Sequence, residues 1–274
     1  MTSSTNTQLL VFTDLDGTLI DHDTYSWEGA KQAVGKLKDL EIPIIPCTSK
    51  TRAEIEIHRL KIGLKDPFVS ENGGGIFVPP DYFDFSFDFT KKTGDYYVIE
   101  FGADYKELRD TLSEIRREVR GKLIGFGDMS AKEVAEDTGL ELGDALLAKT
   151  REYDEAFIFE GDEEKLKKSI ESRGFNWTKG GRYWHVMGDN DKGKAVEVLR
   201  KLFLKKYKSV KTIGIGDSLN DLPMLRAVDI PILVQKKDGS YDNKIDIPNL
   251  VRADGIGPVG WNRTILNLLS KRSF

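Results

Sequence analysis

The chain has 274 residues, 39% hydrophobic and 31% charged, with a formal net charge of −4. That length buries a sizeable core in one large or two ordinary domains, and the composition is that of a soluble globular protein. Scattered basic residues leave no nucleic-acid footprint, the single cysteine excludes an internal disulfide framework and fits a reducing cytoplasm, and no apolar run approaches the ~20 residues of a membrane helix. The polar start, MTSSTNTQ, lacks the basic end and apolar centre of a signal peptide and reads as a frayed tail.

LLVFT (9–13) is an apolar run that reads as a buried strand, and it leads directly into Asp14 and Asp16. Trp27, Ala30, Val34 and Leu37 then recur at helical spacing, with Ser26 as a candidate N-cap. IPIIPCT (42–48) reads as a second strand, and its two prolines weaken a central position. Ala53, Ile57, Leu60 and Leu64 form another helical stripe ending near Gly63. PFVSENGGGIFVPP follows as a strand, a glycine turn and a return strand. Strands alternating with amphipathic helices predict βαβ units and a parallel sheet.

From about residue 85 the texture becomes aromatic-rich and alternating. DYYVIEF (95–101) reads as a strand, and Tyr105, Leu108, Leu112, Ile115 and Val119 as one helical face. Ser130 and Glu133 have capping-box spacing for a short helix that Gly139 ends. EAFIFE is a strand, Leu166 and Ile170 mark a helix, and FNWT and RYWHVM form a hairpin joined through Gly180 and Gly181. Past residue 187 the earlier pattern returns: a helix carrying Val196, Leu199 and Phe203, the buried strand TIGIG (212–216), the strand IPILV (230–234), and a C-terminal helix starting near Thr264 and Ile265. The basic run KKYKSVK (205–211) reads as the solvated end of a helix. The predicted class is α/β: a Rossmann-like parallel-sheet core from residues 1–84 and 188–274, with an α+β unit inserted at 85–187.

Two acidic clusters stand out. Asp14 falls at the carboxyl end of the first strand, where open α/β sheets bind ligands, and the +2 spacing turns Asp16 to the same side. GDSLND (216–221) ends a second buried strand with Asp217 and Asp221. Carboxylates brought together at two strand ends repel unless a cation lies between them, and an oxygen-only ligand set favours Mg²⁺. Each alone has an ordinary explanation, since Asp16 suits a turn and Asp221 suits an N-cap before Pro223. Thr48 and Lys50 in CTSKT precede a helix whose N-terminus could meet an anion, although Thr48 and Ser49 are equally plain N-cap candidates. Lys192 opens another helix, where a lysine opposes the macrodipole unless an anion or acidic cluster faces it.

DLDGT, the Thr/Ser after the second strand, the lysine of DKGKA and GDSLND occur in the order of the haloacid dehalogenase superfamily of aspartate-nucleophile phosphatases, which this sequence resembles across its core. The inserted unit resembles that superfamily's C2-type cap. The resemblance implies Asp14 as nucleophile, Asp16 as general acid and then base, Thr48 holding phosphoryl oxygens, and Lys192 neutralising charge. It implies a Mg²⁺ site of Asp14, the Asp16 carbonyl, Asp217 and Asp221, with Asn220 ordering the loop. The acid two residues after the nucleophile favours a phosphate ester over a halide.

CTSKTRAE, GFGDMS, REYDEAF, GGRYWHVMGDNDKGKA and GPVGWN further resemble the mannosyl-3-phosphoglycerate phosphatases, in which TSK replaces the Thr-Gly-Arg of many sugar phosphatases. This implies hydrolysis of mannosyl-3-phosphoglycerate, a compatible-solute precursor, to mannosylglycerate and phosphate, with glucosyl-3-phosphoglycerate or another sugar phosphate as the alternative. A sugar phosphomutase and a non-catalytic sugar-phosphate sensor are the further alternatives. Substrate contacts are expected from Ser49, Lys50, Asn220 and the insert's Arg151, Arg182 and His185. Strict strand alternation would separate Arg182 from His185, and His185 also suits plain packing. Trp27, Trp177 and Trp184 read as packing, Cys47 as a buried filler, and the SENGG glycines as a turn. The partner is a small-molecule sugar phosphate, with neither nucleic acid nor membrane, and the protein is expected as a cytoplasmic monomer or homodimer.

Overall fold

The apolar run after residue 8 forms β1 (Gln8–Thr13), and every side chain from Leu9 to Thr13 is buried, in a computed structural model that describes residues 7–180 and 182–271. Residues 1–6 of the polar tail, and Gly181 of the expected hairpin, lie outside the described residues. A 3-10 turn at Glu28–Ala30 leads into α1 (Lys31–Asp39), whose Ala33, Val34 and Leu37 are buried. Ser26 Oγ accepts the Glu28 N–H at 3.3 Å just ahead of the turn, but it is not the N-cap of α1, a position that Ala30 holds.

β2 (Ile44–Pro46) is followed by α2 (Arg52–Ile62), which starts on a Thr51/Glu54 capping box and ends at Gly63 with φ 74°. Thr48 and Ser49 are therefore not its caps. The expected α2 stripe is also offset, because Ile55, Arg59 and Ile62 face inward while Leu60 is 80% exposed. Arg59 explains the error. Its guanidinium lies 4.7 Å over the Phe68 ring and donates to the Asp66 carbonyl at 2.6 Å, so a charged residue holds an inward place that apolar counting skips.

β3 (Phe68–Ser70) and β4 (Gly75–Val78) flank a short turn, and β5 (Lys91–Thr93) and β6 (Tyr96–Glu100) extend them into an antiparallel sheet of order β3-β4-β6-β5. The DYYVIEF strand thus adds to β4, and a bridge from Cys47 to Val69 ties this sheet to the end of β2. The elements α3 (Tyr105–Glu118), β7 (Gly121–Gly125), α4 (Ala131–Thr138), α5 (Leu142–Ala148), β8 (Asp154–Gly161), α6 (Glu163–Glu171), β9 (Asn176–Lys179) and β10 (Trp184–Met187) build a second antiparallel sheet of order β7-β8-β10-β9. α4 carries the expected Ser130/Glu133 box and stops at Gly139. Leu112 and Ile115 of α3 and Leu166 and Ile170 of α6 share one apolar cluster with Phe157 and Trp184.

The chain then returns through α7 (Lys192–Tyr207), β11 (Val210–Gly216), α8 (Leu222–Ala227), β12 (Ile230–Gln235), β13 (Val251–Ile256) and α9 (Gly257–Ser270). These complete a five-stranded sheet of order β13-β12-β11-β1-β2, parallel at every pairing. Pro46 is tolerated because β2 is its outer strand. The C-terminal helix starts at Gly257 and not near Thr264, since Pro258 occupies its first turn, where a missing N–H costs nothing. β13 went unread because, at the other edge, only Ala253 of its six residues is fully buried. Parallel pairing sets the carboxyl ends of β1, β2 and β11 on one rim, which gathers residues 14, 48 and 217. Among the described residues no helix is long and apolar enough to cross a membrane.

Candidate active site

Asp14 is fixed from behind. Its N–H donates to the Ile215 carbonyl at 2.9 Å, and its own carbonyl accepts the Thr13 hydroxyl at 2.7 Å. Buried Trp261, from GPVGWN, donates its indole N–H to that hydroxyl at 3.0 Å, so the last helix braces the end of β1. The chain then turns away at Gly17, whose φ of 66° suits glycine.

Lys192 heads α7 just after its N-cap, Asp191, and is fully buried. Its Nζ lies 2.8 Å from Asp14 Oδ1 and 2.6 Å from Asp221 Oδ1. The conflict with the macrodipole is thus resolved by two carboxylates. Asp221 stands at the N-cap position of α8, as expected, but its side chain makes no cap bond there; its other oxygen accepts the N–H groups of Asp217 and Ser218 at 3.0 and 3.1 Å and closes the loop. A Cβ on Gly216 would stand 2.4 Å from the Asp221 side chain, so only glycine permits this closure.

Asp14, Asp217 and Asp221 offer oxygens that all lie within 4.8 Å of one another. Burial pushes Asp217 up to about 8 and repulsion from Asp221 and Asp14 adds to it; burial pushes Asp221 up to about 6 although Lys192 pulls it down. One lysine against three carboxylates leaves negative charge uncompensated. An all-oxygen donor set in that state fits a hard divalent cation. Asp16 stands outside the triad by its side chain. Its Oδ2 pairs with Lys50 Nζ at 3.0 Å, and its Oδ1 is buried without a partner. Burial and the nearby Asp14 raise its pKa against the pull of Lys50. Lys50 also pairs with Glu54 at 3.1 Å, and although burial disfavours its charge, the two carboxylates hold it protonated.

Above this floor lies a cavity of about 770 Å³, lined by Asp14, Asp16, Ser49, Lys50, Asp217 and Asn220 below and by the β7–β10 unit above. Thr48 is fully buried beneath the lining, its carbonyl accepting the Asn72 N–H at 3.0 Å. Arg182 and His185 both line the cavity, contrary to the alternation argument, because Arg182 precedes the first residue of β10. Arg182 is exposed and pairs with Asp137 at 3.4 Å, whereas His185 is buried with Nδ1 3.0 Å from Asp154 Oδ2. Arg151 also reaches the lining, but Nε and Nη2 of its guanidinium are engaged by Asp154 and by the Ser49 carbonyl at 2.9 Å. Trp177 and Trp184 pack inside the β7–β10 unit, Trp27 packs against the main core, and Cys47 is buried with its thiol pushed up by burial.

Three buried carboxylates next to the site escaped the sequence reading. Glu54 anchors Lys50, Asp154 holds Arg151 and His185, and Glu71 accepts the N–H groups of Glu152, Tyr153 and Asp154 within 2.8–3.0 Å. The available signal was the charge density of REYDE just ahead of an apolar strand, which a solvated loop would match equally well.

A family model described as haloacid dehalogenase-like hydrolase matches residues 11–88 and 131–244. The chain is 54% identical over 267 residues to a glucosyl-3-phosphoglycerate/mannosyl-3-phosphoglycerate phosphatase of Methanococcoides burtonii, covering 96% of this chain and 98% of the relative. It is 36% identical over 247 residues to a mannosyl-3-phosphoglycerate phosphatase of Pyrococcus horikoshii, covering 89% of this chain and 99% of the relative. Among solved structures, a Thermoplasma acidophilum protein matches with TM-score 0.69 at 20% identity, covering 96% of this chain and 99% of that one. A Synechocystis sucrose-phosphatase solved with sucrose and phosphate matches with TM-score 0.64 at 13% identity, covering 95% and 98%; both likenesses speak to the fold alone. On the family match and the identity to these relatives, the chain belongs to the haloacid dehalogenase-like hydrolases.

Proposed function

We propose that the protein is a Mg²⁺-dependent phosphoric monoester hydrolase that converts mannosyl-3-phosphoglycerate to mannosylglycerate and phosphate, and that accepts the glucosyl compound as well. The observation that carries this is the buried Asp14–Lys192–Asp221 group beside Asp16, beneath a cavity large enough for a glycosyl phosphoglycerate. The name of the Methanococcoides relative, a glucosyl-3-phosphoglycerate/mannosyl-3-phosphoglycerate phosphatase, supports the pair. The core is residues 1–84 and 188–274 and the cap is 85–187, whose strand β6 pairs with β4 and carries β5 on its other edge. The protein works in the cytoplasm as a monomer or homodimer.

Asp14 attacks phosphorus in line with the ester oxygen, so that a P–O bond forms to Asp14 as the substrate ester bond breaks. Asp16 supplies the proton to the departing alkoxide, a role that its raised pKa supports. Asp16 then takes a proton from water as that water attacks the aspartyl-phosphate, which restores Asp14 and releases phosphate. Lys192 offsets the charge of Asp14 and the phosphoryl oxygens throughout, and Lys50 keeps Asp16 oriented. Asp14, Asp217, Asp221 and the Asp16 carbonyl would hold Mg²⁺, which when bound neutralises phosphoryl charge. Ser49, Asn220, Arg182 and His185 face the substrate, Arg151 supports His185 through Asp154, and Thr48, buried beneath the lining, supports the floor through its bond to Asn72.

A phosphate-release screen tests this. Mannosyl- and glucosyl-3-phosphoglycerate are expected to be hydrolysed steadily and better than simple hexose phosphates, with loss on chelation. Phosphate transfer between sugars without free phosphate would indicate a mutase, and tight binding without turnover would indicate a sensor.

A further inference from the structure

The SENGG turn between β3 and β4 has no part in the chemistry above, yet Asn72 within it bonds to four segments around the site, at Thr48, Asp154, Asn190 and Asn220. Asn72 is 2% exposed and stands in left-handed backbone, φ 55° and ψ 36°. Its N–H reaches the Thr48 carbonyl at 3.0 Å, and its carbonyl accepts Nδ2 of Asn190, two residues before Lys192, at 3.3 Å. Its side-chain Nδ2 donates at 3.0 Å to Asp154 Oδ2, the same oxygen that faces His185 Nδ1, and its Oδ1 accepts Asn220 Nδ2 at 3.3 Å.

Chemistry fixes which way this amide points. A carboxylate oxygen only accepts, so the atom toward Asp154 must be the NH₂, which leaves the carbonyl oxygen for Asn220. A continuous chain, His185–Asp154–Asn72–Asn220, therefore runs from β10 on the cavity roof to the acidic loop on its floor. Aspartate at 72 would set a further carboxylate against Asp154 and lose the donor. Alanine would strain at positive φ, whereas glycine would keep the backbone and delete only the side-chain bonds.

We infer that Asn72 is a positioning residue, which sets the roof's Asp154–His185 pair in register with the floor's Asn220 loop, so that the glycosyl-glycerate portion and the phosphoryl group are presented together. This rests on the phosphatase reading.

The test is a double-mutant cycle of Asn72→Gly with His185→Ala, run with Mg²⁺ on mannosyl-3-phosphoglycerate. Asn72→Gly alone is expected to lower kcat/KM roughly tenfold to a hundredfold, the loss typical of a hydrogen bond to a charged group. In the His185→Ala background it should cost less than about threefold, because what it positions is gone. Additive losses, or a lowered melting temperature with kcat/KM intact, would show a merely structural residue and overturn the inference. If Asn72→Gly does not fold, Asn72→Asp, which suits the left-handed backbone and lacks the donor to Asp154, takes its place in the cycle under the same criteria. A wild type inactive on every ester refutes the phosphatase reading instead. The imidazole nitrogen resonances of His185, assigned with His185→Ala, then decide Asn72 separately: they move in Asn72→Gly if it positions the ring and stay in place if it does not.

Discussion

Replacing Lys192 by Met removes the one cation between Asp14 and Asp221 while keeping an apolar side chain of similar length. Two contacts of 2.8 and 2.6 Å vanish from a fully buried site, and three carboxylates within 4.8 Å of one another lose their counter-charge. Breaking a buried ion pair from one side costs about 3–5 kcal/mol. At about 2–4 °C per kcal/mol for a chain of this order of size, the metal-free variant should melt roughly 6–20 °C below wild type. The deficit should grow with pH. With Lys192 in place burial pushes Asp221 and Asp217 up to about 6 and about 8, and without its pull both rise further. At pH 5 both therefore hold protons and repel little, whereas folding at pH 8 must either bind scarce protons or bring unscreened carboxylates together. The assay is thermal unfolding by circular dichroism in EDTA at both pH values, beside phosphate release with Mg²⁺. A variant melting within about 2 °C of wild type at pH 8, or keeping more than about a tenth of its turnover, would refute the reasoning.

Two further outcomes follow from the same geometry. For acids whose folded pKa is raised, the folded state holds protons that the unfolded chain has already lost, so the contribution of Asp217 and Asp221 to stability falls as pH climbs from about 4 through about 8. Mg²⁺ should therefore raise the melting temperature more at pH 8 than at pH 5, and equal shifts at the two pH values would count against a metal at this triad. Trp261→Phe deletes the N–H that holds the Thr13 hydroxyl. It should cost at least about 0.5–1.5 kcal/mol and lower kcat more than it changes KM, as read by melting and steady-state kinetics; an unchanged kcat would show that the brace behind Asp14 does not matter.

Strand periodicity and two acidic strand ends made the parallel core and its floor legible, because Asp14, Asp217 and Asp221 follow runs that bury completely and parallel pairing then brings such ends to one rim. What stayed hidden depends on contacts between segments far apart in sequence. Arg59 takes an inward place on α2 because Phe68 and the Asp66 carbonyl are there to receive it. Arg151 reads as an anion receptor until Asp154 and the Ser49 carbonyl are seen to occupy it. β13 lies at a sheet edge, where most of its side chains need not be apolar, and Glu71 gives no local sign that it will collect three backbone N–H groups from residues 152–154.

In the proposed mechanism Asp14 carries the phosphoryl group. The direct measurement is mass spectrometry of acid-quenched protein mixed with mannosyl-3-phosphoglycerate and Mg²⁺, using an Asp16→Asn variant to slow hydrolysis of the intermediate. Phosphate is expected covalently bound to the peptide containing Asp14, and none in Asp14→Asn. Phosphate release by an Asp14→Asn protein at the wild-type rate, or a covalent phosphate on any other residue, would contradict it.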